Sequence, residues 1–196
     1  MAQIQVELTQ CQFGQIGSLR YDQGSGEFTI GPDIETELGP WKSSFAYYHD
    51  AAEHAVNSCA SDMELNARCF FALPLLFKEP VRRYCSNDTS PFSLTHRDSG
   101  FHNILVDDNF SIIGVIDFDG IMAAPKEVVG QFPALCALDR PLQEFVKARE
   151  EQEKPSIESY ATSLRTLAIG SERQIFADMM SIPESLVRGL NAFISH

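Results

Sequence analysis

The stretch S-L-T-H-R-D-S-G-F-H-N-I-L-V-D-D-N-F-S-I-I-G-V-I-D-F-D-G, Ser93 to Gly120, decides the reading of this 196-residue chain. It reads as a loop, a hairpin and a second loop. Leu94 and Thr95 lead into His96-Arg97-Asp98, a polar loop runs on through Asn103, and Ile104-Leu105-Val106 form a short apolar run. Asp107-Asp108-Asn109 is turn chemistry, because these side chains bond their own backbone and tolerate left-handed angles. Ser111 to Phe118, rich in Ile and Val, follows as a second strand. The hairpin returns the residues after its second strand to those before its first. Asp98, Asn103, Asp117 and Asp119 are therefore expected to converge at one end.

Such a cluster suits phosphoryl transfer, which needs a metal to neutralise phosphoryl oxygens and a carboxylate to orient and deprotonate the attacking hydroxyl. Magnesium takes hard oxygen ligands, typically one or two carboxylates with phosphates and water. Asp98 suits the base. Asn103, through its amide oxygen, and Asp117 suit the metal. The spacing H-x-D-x-x-x-x-N matches a kinase catalytic loop, and Asp117-Phe118-Asp119 stands where a kinase carries D-F-G.

His96-Arg97-Asp98 with His102-Asn103, followed by Ile116-Asp117-Phe118-Asp119, resembles the aminoglycoside phosphotransferase and choline kinase superfamily, its fungal members above all. Those members usually carry a small residue where Arg97 sits, so H-R-D is closer to protein kinases at that position. The resemblance runs from the first helix to at least Phe132. It implies Asp98 as catalytic base, Asn103 and Asp117 as metal ligands, and Asp119 as a secondary acid. His96 joins Asp98 and Asp117 in the expected catalytic set. Arg97, His102 and Asp119 are the expected substrate contacts.

In that family a nucleotide-binding lobe precedes the catalytic lobe. Here the catalytic-lobe pattern begins almost at Met1, and no lysine precedes Lys42. Lys42 stands in Trp41-Lys42-Ser43-Ser44, a helix start and not a strand V-A-I-K. Gly24-Ser25-Gly26 lies between strand-like runs and reads as a hairpin turn. The ATP lobe is expected to be absent. No cofactor is then expected: magnesium would bind weakly, and ATP only if a nucleotide lobe were supplied.

A chain of 196 residues is most simply one domain, 1–196, burying roughly 70% of its unfolded surface. A net charge of -12 argues against nucleic acid, whose binding rests on neutralising phosphates, and against anionic membrane surfaces. It is compatible with a neutral or cationic small-molecule substrate. No apolar tract is long enough to span a membrane, and Met-Ala-Gln-Ile-Gln-Val-Glu is no signal peptide. Five cysteines, odd in number and without C-x-x-C, read as reduced thiols of a cytoplasmic protein.

In chain order, Ile4, Leu8 and Cys11 share a helical face, with Gly14 as terminator. Ile16 to Tyr21 and Glu27 to Ile30 pair as a hairpin, and Pro32 and Pro40 bracket a loop. Ser43 or Ser44 caps a helix through about Ala60, with Phe45, Tyr48, Ala52 and Ala55 inward. On it Asp50 and His54 are i,i+4 neighbours able to pair, and Tyr47, His49 and Glu53 share what reads as a solvated face. Asp62 opens a buried helix kinked at Pro74. Pro125 begins a helix from Lys126 to Phe132, and further helices start at Pro141, Pro155 and Ser171. Ile157, Tyr160, Leu164 and Leu167 form one face, and 147–154 is an exposed charge run.

The expected fold class is α+β: a mostly helical domain with small β-hairpins, like the C-terminal lobe of a protein-kinase-like phosphotransferase. The preferred function is a small-molecule enzyme working without ATP, by acid–base, cyclisation or isomerisation chemistry. The alternatives are a phosphotransferase completed by a nucleotide lobe in trans, and a non-catalytic binding module. A catalytic lobe without its partner lobe leaves an apolar side uncovered. A homodimer, or a pocket closed by the chain's own loops, is expected there.

Overall fold

The computed structural model describes residues 2–61, 89–98, 100–130 and 158–167. Helix α1 (Ala2–Leu8) ends six residues before Gly14, and the chain turns at once into strand β1 (Gln12–Phe13). Strands β2 (Gly17–Asp22) and β3 (Glu27–Gly31) form the first hairpin. Its turn is tied by Asp22, which accepts the Gly24 N–H at 2.8 Å and the Ser25 hydroxyl at 3.0 Å. Those donors, the Gly24 N–H first, hold the Asp22 carboxyl below its ordinary range by favouring its charged form.

Helix α2 (Ser44–Ser61) begins where the Ser43 Oγ accepts the Ala46 N–H at 3.2 Å, the N-terminal cap that a serine before a periodic apolar run provides. Tyr48 and Ala52 are fully buried, and Phe45 and Ala55 partly so. Asp50 does not pair with His54. Its carboxylate accepts the Trp41 indole N–H at 2.8 Å and meets His49 at 3.4 Å, while His54 is exposed.

Strand β4 (Phe92–Thr95) precedes the central loop, and β5 (Ile104–Val106) and β6 (Ile112–Val115) form the second hairpin. Strand β7 (Met122–Ala124) and a single helical turn, α3 (Lys126–Val129), follow. The helix over 158–167 buries Tyr160, Ala161 and Leu164, whereas Leu167 is exposed. The expected helices from Asp62, Pro141 and Ser171, and the charge run over 147–154, lie outside the described residues.

The fold expectation is corrected here. The described chain mixes helices with a curled five-stranded antiparallel sheet of order β1-β4-β7-β2-β3, and is not a mostly helical kinase-like lobe. The amino-terminal hairpin is part of this sheet: β2 pairs with β7, and β7 with β4. Ile16, Trp41, Tyr47, Tyr48, Phe92, Leu94, Met122 and Val129 form one core across these elements. Each large side chain there contributes roughly 1.5–3 kcal/mol by leaving water. Thr95 pairs with Met122. Residues 96–121 therefore leave the sheet and return to it side by side, carrying the second hairpin between them.

Candidate functional site

The excursion over 96–121 is held by backbone contacts first. The Ile116 N–H donates to the Asn103 carbonyl at 3.0 Å, extending the β5–β6 ladder by one step. His96, only 5% exposed, bonds the Ile116 carbonyl through Nε2 at 3.0 Å. A carbonyl only accepts, so Nε2 carries a proton, and among the described residues nothing bonds the buried Nδ1. The His96 ring meets Phe118 edge-on, with centroids 4.8 Å apart. Ile116 is thus joined to both ends of the central loop. The next residue, Asp117, takes a φ of 62°, a left-handed angle that an aspartate tolerates better than most residues. This ends the second strand at Val115, short of the Phe118 that composition suggested.

Asp98 is the most constrained acid of the loop. Its Oδ2 accepts the Asn103 side-chain N–H at 3.1 Å and meets His102 Nε2 at 2.9 Å. The same Asn103 nitrogen also donates to the Asp98 main-chain carbonyl at 3.0 Å. Both acceptors are oxygens, so the amide's nitrogen end must face Asp98 and its oxygen end must turn away. Asn103 is buried, while the Asp98 and His102 side chains remain 56% and 65% exposed. A carboxylate fixed by a buried neighbour yet open to solvent suits proton transfer.

Arg97 does not face this opening. It has a φ of 46° and sends its guanidinium to Asp33 at 2.9 Å and Glu35 at 3.2 Å. Tyr47 packs beside this group, its phenol pushed up to about 12 by burial, with the Arg97 charge pulling the other way. Asp117 and Asp119 are exposed, and among the described residues nothing hydrogen-bonds or pairs with either. The structure therefore joins Asp98, His102 and Asn103 directly. Asp117 follows Ile116, whose N–H bonds the Asn103 carbonyl, and Asp119 lies in the turn after Phe118.

Among the described residues no group of three or more His, Cys, Asp or Glu side chains gathers as a metal site. The Asn103 oxygen, turned away from Asp98, and the Asp117 carboxylate are hard donors. Two of them fit a magnesium that arrives with phosphate and water, and not one held by protein alone. Sequence reasoning did not single out Asp33 and Glu35. Pro32-Asp33 before Thr36 is an Asx-turn signal, but the Arg97 partner lies 64 residues away and no local pattern announces it. No family model, curated protein or solved structure matches this chain.

Proposed function

We propose that the loops over 95–103 and 116–120 perform acid–base chemistry on a small neutral or cationic organic molecule, with Asp98 as the proton acceptor. The observation that carries this reading is the division of labour between the two Asp98 oxygens. Oδ2 is occupied by Asn103 and His102, and among the described residues nothing bonds Oδ1, the oxygen offered to a substrate O–H or N–H. Transfer of that proton neutralises Asp98 and leaves the substrate with the electron pair. His102 is solvent-facing and bonded to the same carboxyl, so it offers the proton a way out to water. Asn103 holds the carboxyl through the exchange without taking part in it. The net charge of -12 favours a cationic or neutral substrate over an anionic one. A reducing, cytoplasmic setting suits the odd cysteine count.

A second reading, phosphoryl transfer of the aminoglycoside phosphotransferase type, is favoured by one specific observation. The Asn103 amide is turned so that its oxygen faces away from Asp98, beside the segment that carries Asp117. A magnesium held there would supply charge neutralisation to a phosphoryl group. In this reading, too, Asp98 accepts the hydroxyl proton.

One experiment separates the readings. The protein is incubated with a defined panel of hydroxylated and amine-bearing small molecules, with and without Mg-ATP, and products are read by mass spectrometry. Conversion without ATP, lost in Asp98→Asn, is the expected result. Conversion only with Mg-ATP, with a gain of one phosphoryl group, would overturn the ATP-independent reading in favour of the second. No conversion in either arm would contradict both.

A further inference from the structure

Asp33 is a buried carboxylate, 5% exposed, and a buried acid must be paired or bonded to persist. Its two oxygens do different jobs. Oδ1 accepts the N–H groups of Glu35 at 3.1 Å and Thr36 at 3.0 Å, with the Thr36 hydroxyl at 3.1 Å. This ties the turn after β3 to itself. Oδ2 faces the other way and takes Arg97 Nη1 at 2.9 Å, while Glu35 Oε2 takes Nη2 at 3.2 Å. Two acids of one turn therefore grip the two ends of one guanidinium. That guanidinium belongs to the residue between His96 and Asp98, and its left-handed φ of 46° is one that L-residues with a Cβ avoid. The angle persists only where surrounding contacts fix it.

We infer that Asp33 and Glu35 are positioning residues, which set the direction of the Asp98 carboxyl by holding Arg97. The inference rests on the acid–base reading for its functional meaning, but the geometry it predicts is measurable without a substrate. Arg97 is then an internal strut between the β3–α2 connection and the loop, and not a substrate contact. Its planar fork suits the place: two N–H groups held at a fixed separation meet two carboxylates, a geometry that the point charge of a lysine ammonium does not reproduce.

The test uses the full chain with Asp33→Asn, Glu35→Gln, Arg97→Lys and, as a control, Leu164→Ala, a core truncation in the helix over 158–167. The first readout is hydrogen exchange of the Asn103 side-chain amide by NMR, below the melting temperature of every variant. The second is turnover of any panel molecule that the wild-type chain converts. Asp33→Asn should speed the Asn103 exchange at least about tenfold and lower turnover roughly ten- to a hundredfold, as a misplaced catalytic group does. Glu35→Gln should act in the same direction but more weakly, since Glu35 is 67% exposed, and Arg97→Lys should fall between them. Leu164→Ala should lower the melting temperature and leave both readouts unchanged.

If Asp33→Asn behaves like Leu164→Ala, Asp33 merely holds its own turn and the inference is overturned. If Asp33→Asn does not fold, the other two variants decide: unchanged Asn103 exchange in both overturns it. Full turnover in Asp98→Asn alongside faster Asn103 exchange in Asp33→Asn would overturn the acid–base reading and leave the strut standing.

Discussion

The orientation of Asn103 governs the whole site, and exchanging it for alanine or aspartate tests it. Its side-chain nitrogen makes two bonds, to the Asp98 carbonyl at 3.0 Å and to Oδ2 at 3.1 Å. The bond to the main chain contributes about 1 kcal/mol net. The bond to Oδ2 contributes about 0.5 kcal/mol, because that carboxylate is 56% exposed and water screens it. Leaving the Asp98 carbonyl with one partner fewer adds a further ~0.5 kcal/mol. Asn103→Ala should therefore cost about 2 kcal/mol, a melting-temperature loss of roughly 4–8 °C for a chain of this length. Asn103→Asp keeps the size but sets a carboxylate against two acceptors, so it should cost more, about 3–4 kcal/mol near pH 7. The introduced carboxyl would have a folded pKa raised above its unfolded value, because only its neutral form can donate. Its penalty is then absent below the unfolded carboxyl range and grows as pH rises through the folded pKa. Urea unfolding at about pH 4.5 and about pH 7 reads this directly, with the Asn103→Asp deficit shrinking at the lower pH. If Asn103→Asp is as stable as wild type near pH 7, the amide is turned the other way and the reasoning fails.

A Cβ on Gly17 would collide with the Gly31 carbonyl oxygen and lie 3.0 Å from Ile30 Cγ2, whereas one on Gly14 would meet nothing. Gly17→Ala should cost about 3 kcal/mol by urea unfolding and Gly14→Ala only a few tenths; an unshifted midpoint for Gly17→Ala would refute the β2–β3 register. Tyr47 ionises at about 12 when folded against 10.0 for the free side chain, chiefly through burial. The stability this group contributes is intact below the unfolded value and declines as pH rises through the folded one, by up to roughly 2.7 kcal/mol. Melting temperatures should therefore fall less steeply between pH 10 and 12 for Tyr47→Phe than for wild type, and equal slopes would place the phenol in water.

The parts of this chain legible in sequence are those written locally. The Asp22–Gly26 turn, the Ser43 cap of α2 and the Asp107 turn each combine a short polar side chain with backbone donors two to four residues on, and such pairs have recognisable patterns. Asp98 and Asn103, two of the four residues expected to converge, lie within six residues of each other, whereas the bond from His102 to the same carboxylate was not anticipated. The sheet was not legible. Strands β1 and β7 are Gln12–Phe13 and Met122–Ala124, too short for alternation and free of β-branched residues. Their pairing is set by the common core of Ile16, Leu94 and Met122, not by propensity. Helical spacing dominated the reading because it recurs over long windows, while a strand of two or three residues leaves no period to detect. The Arg97–Asp33 contact was hidden for another reason: a single ion pair between distant segments carries no sequence periodicity at all. The Asp50–His54 pairing that i,i+4 spacing allowed does not form, because the Trp41 indole and His49 are the partners of Asp50.

The most direct test of Asp98 as proton acceptor pairs turnover with stability in Asp98→Asn. Asparagine keeps the shape and one acceptor oxygen for Asn103 but cannot take a proton. Turnover of a converted panel molecule should fall roughly a hundredfold or more, with the melting temperature within a few degrees of wild type. Full turnover in a folded Asp98→Asn protein would contradict the account.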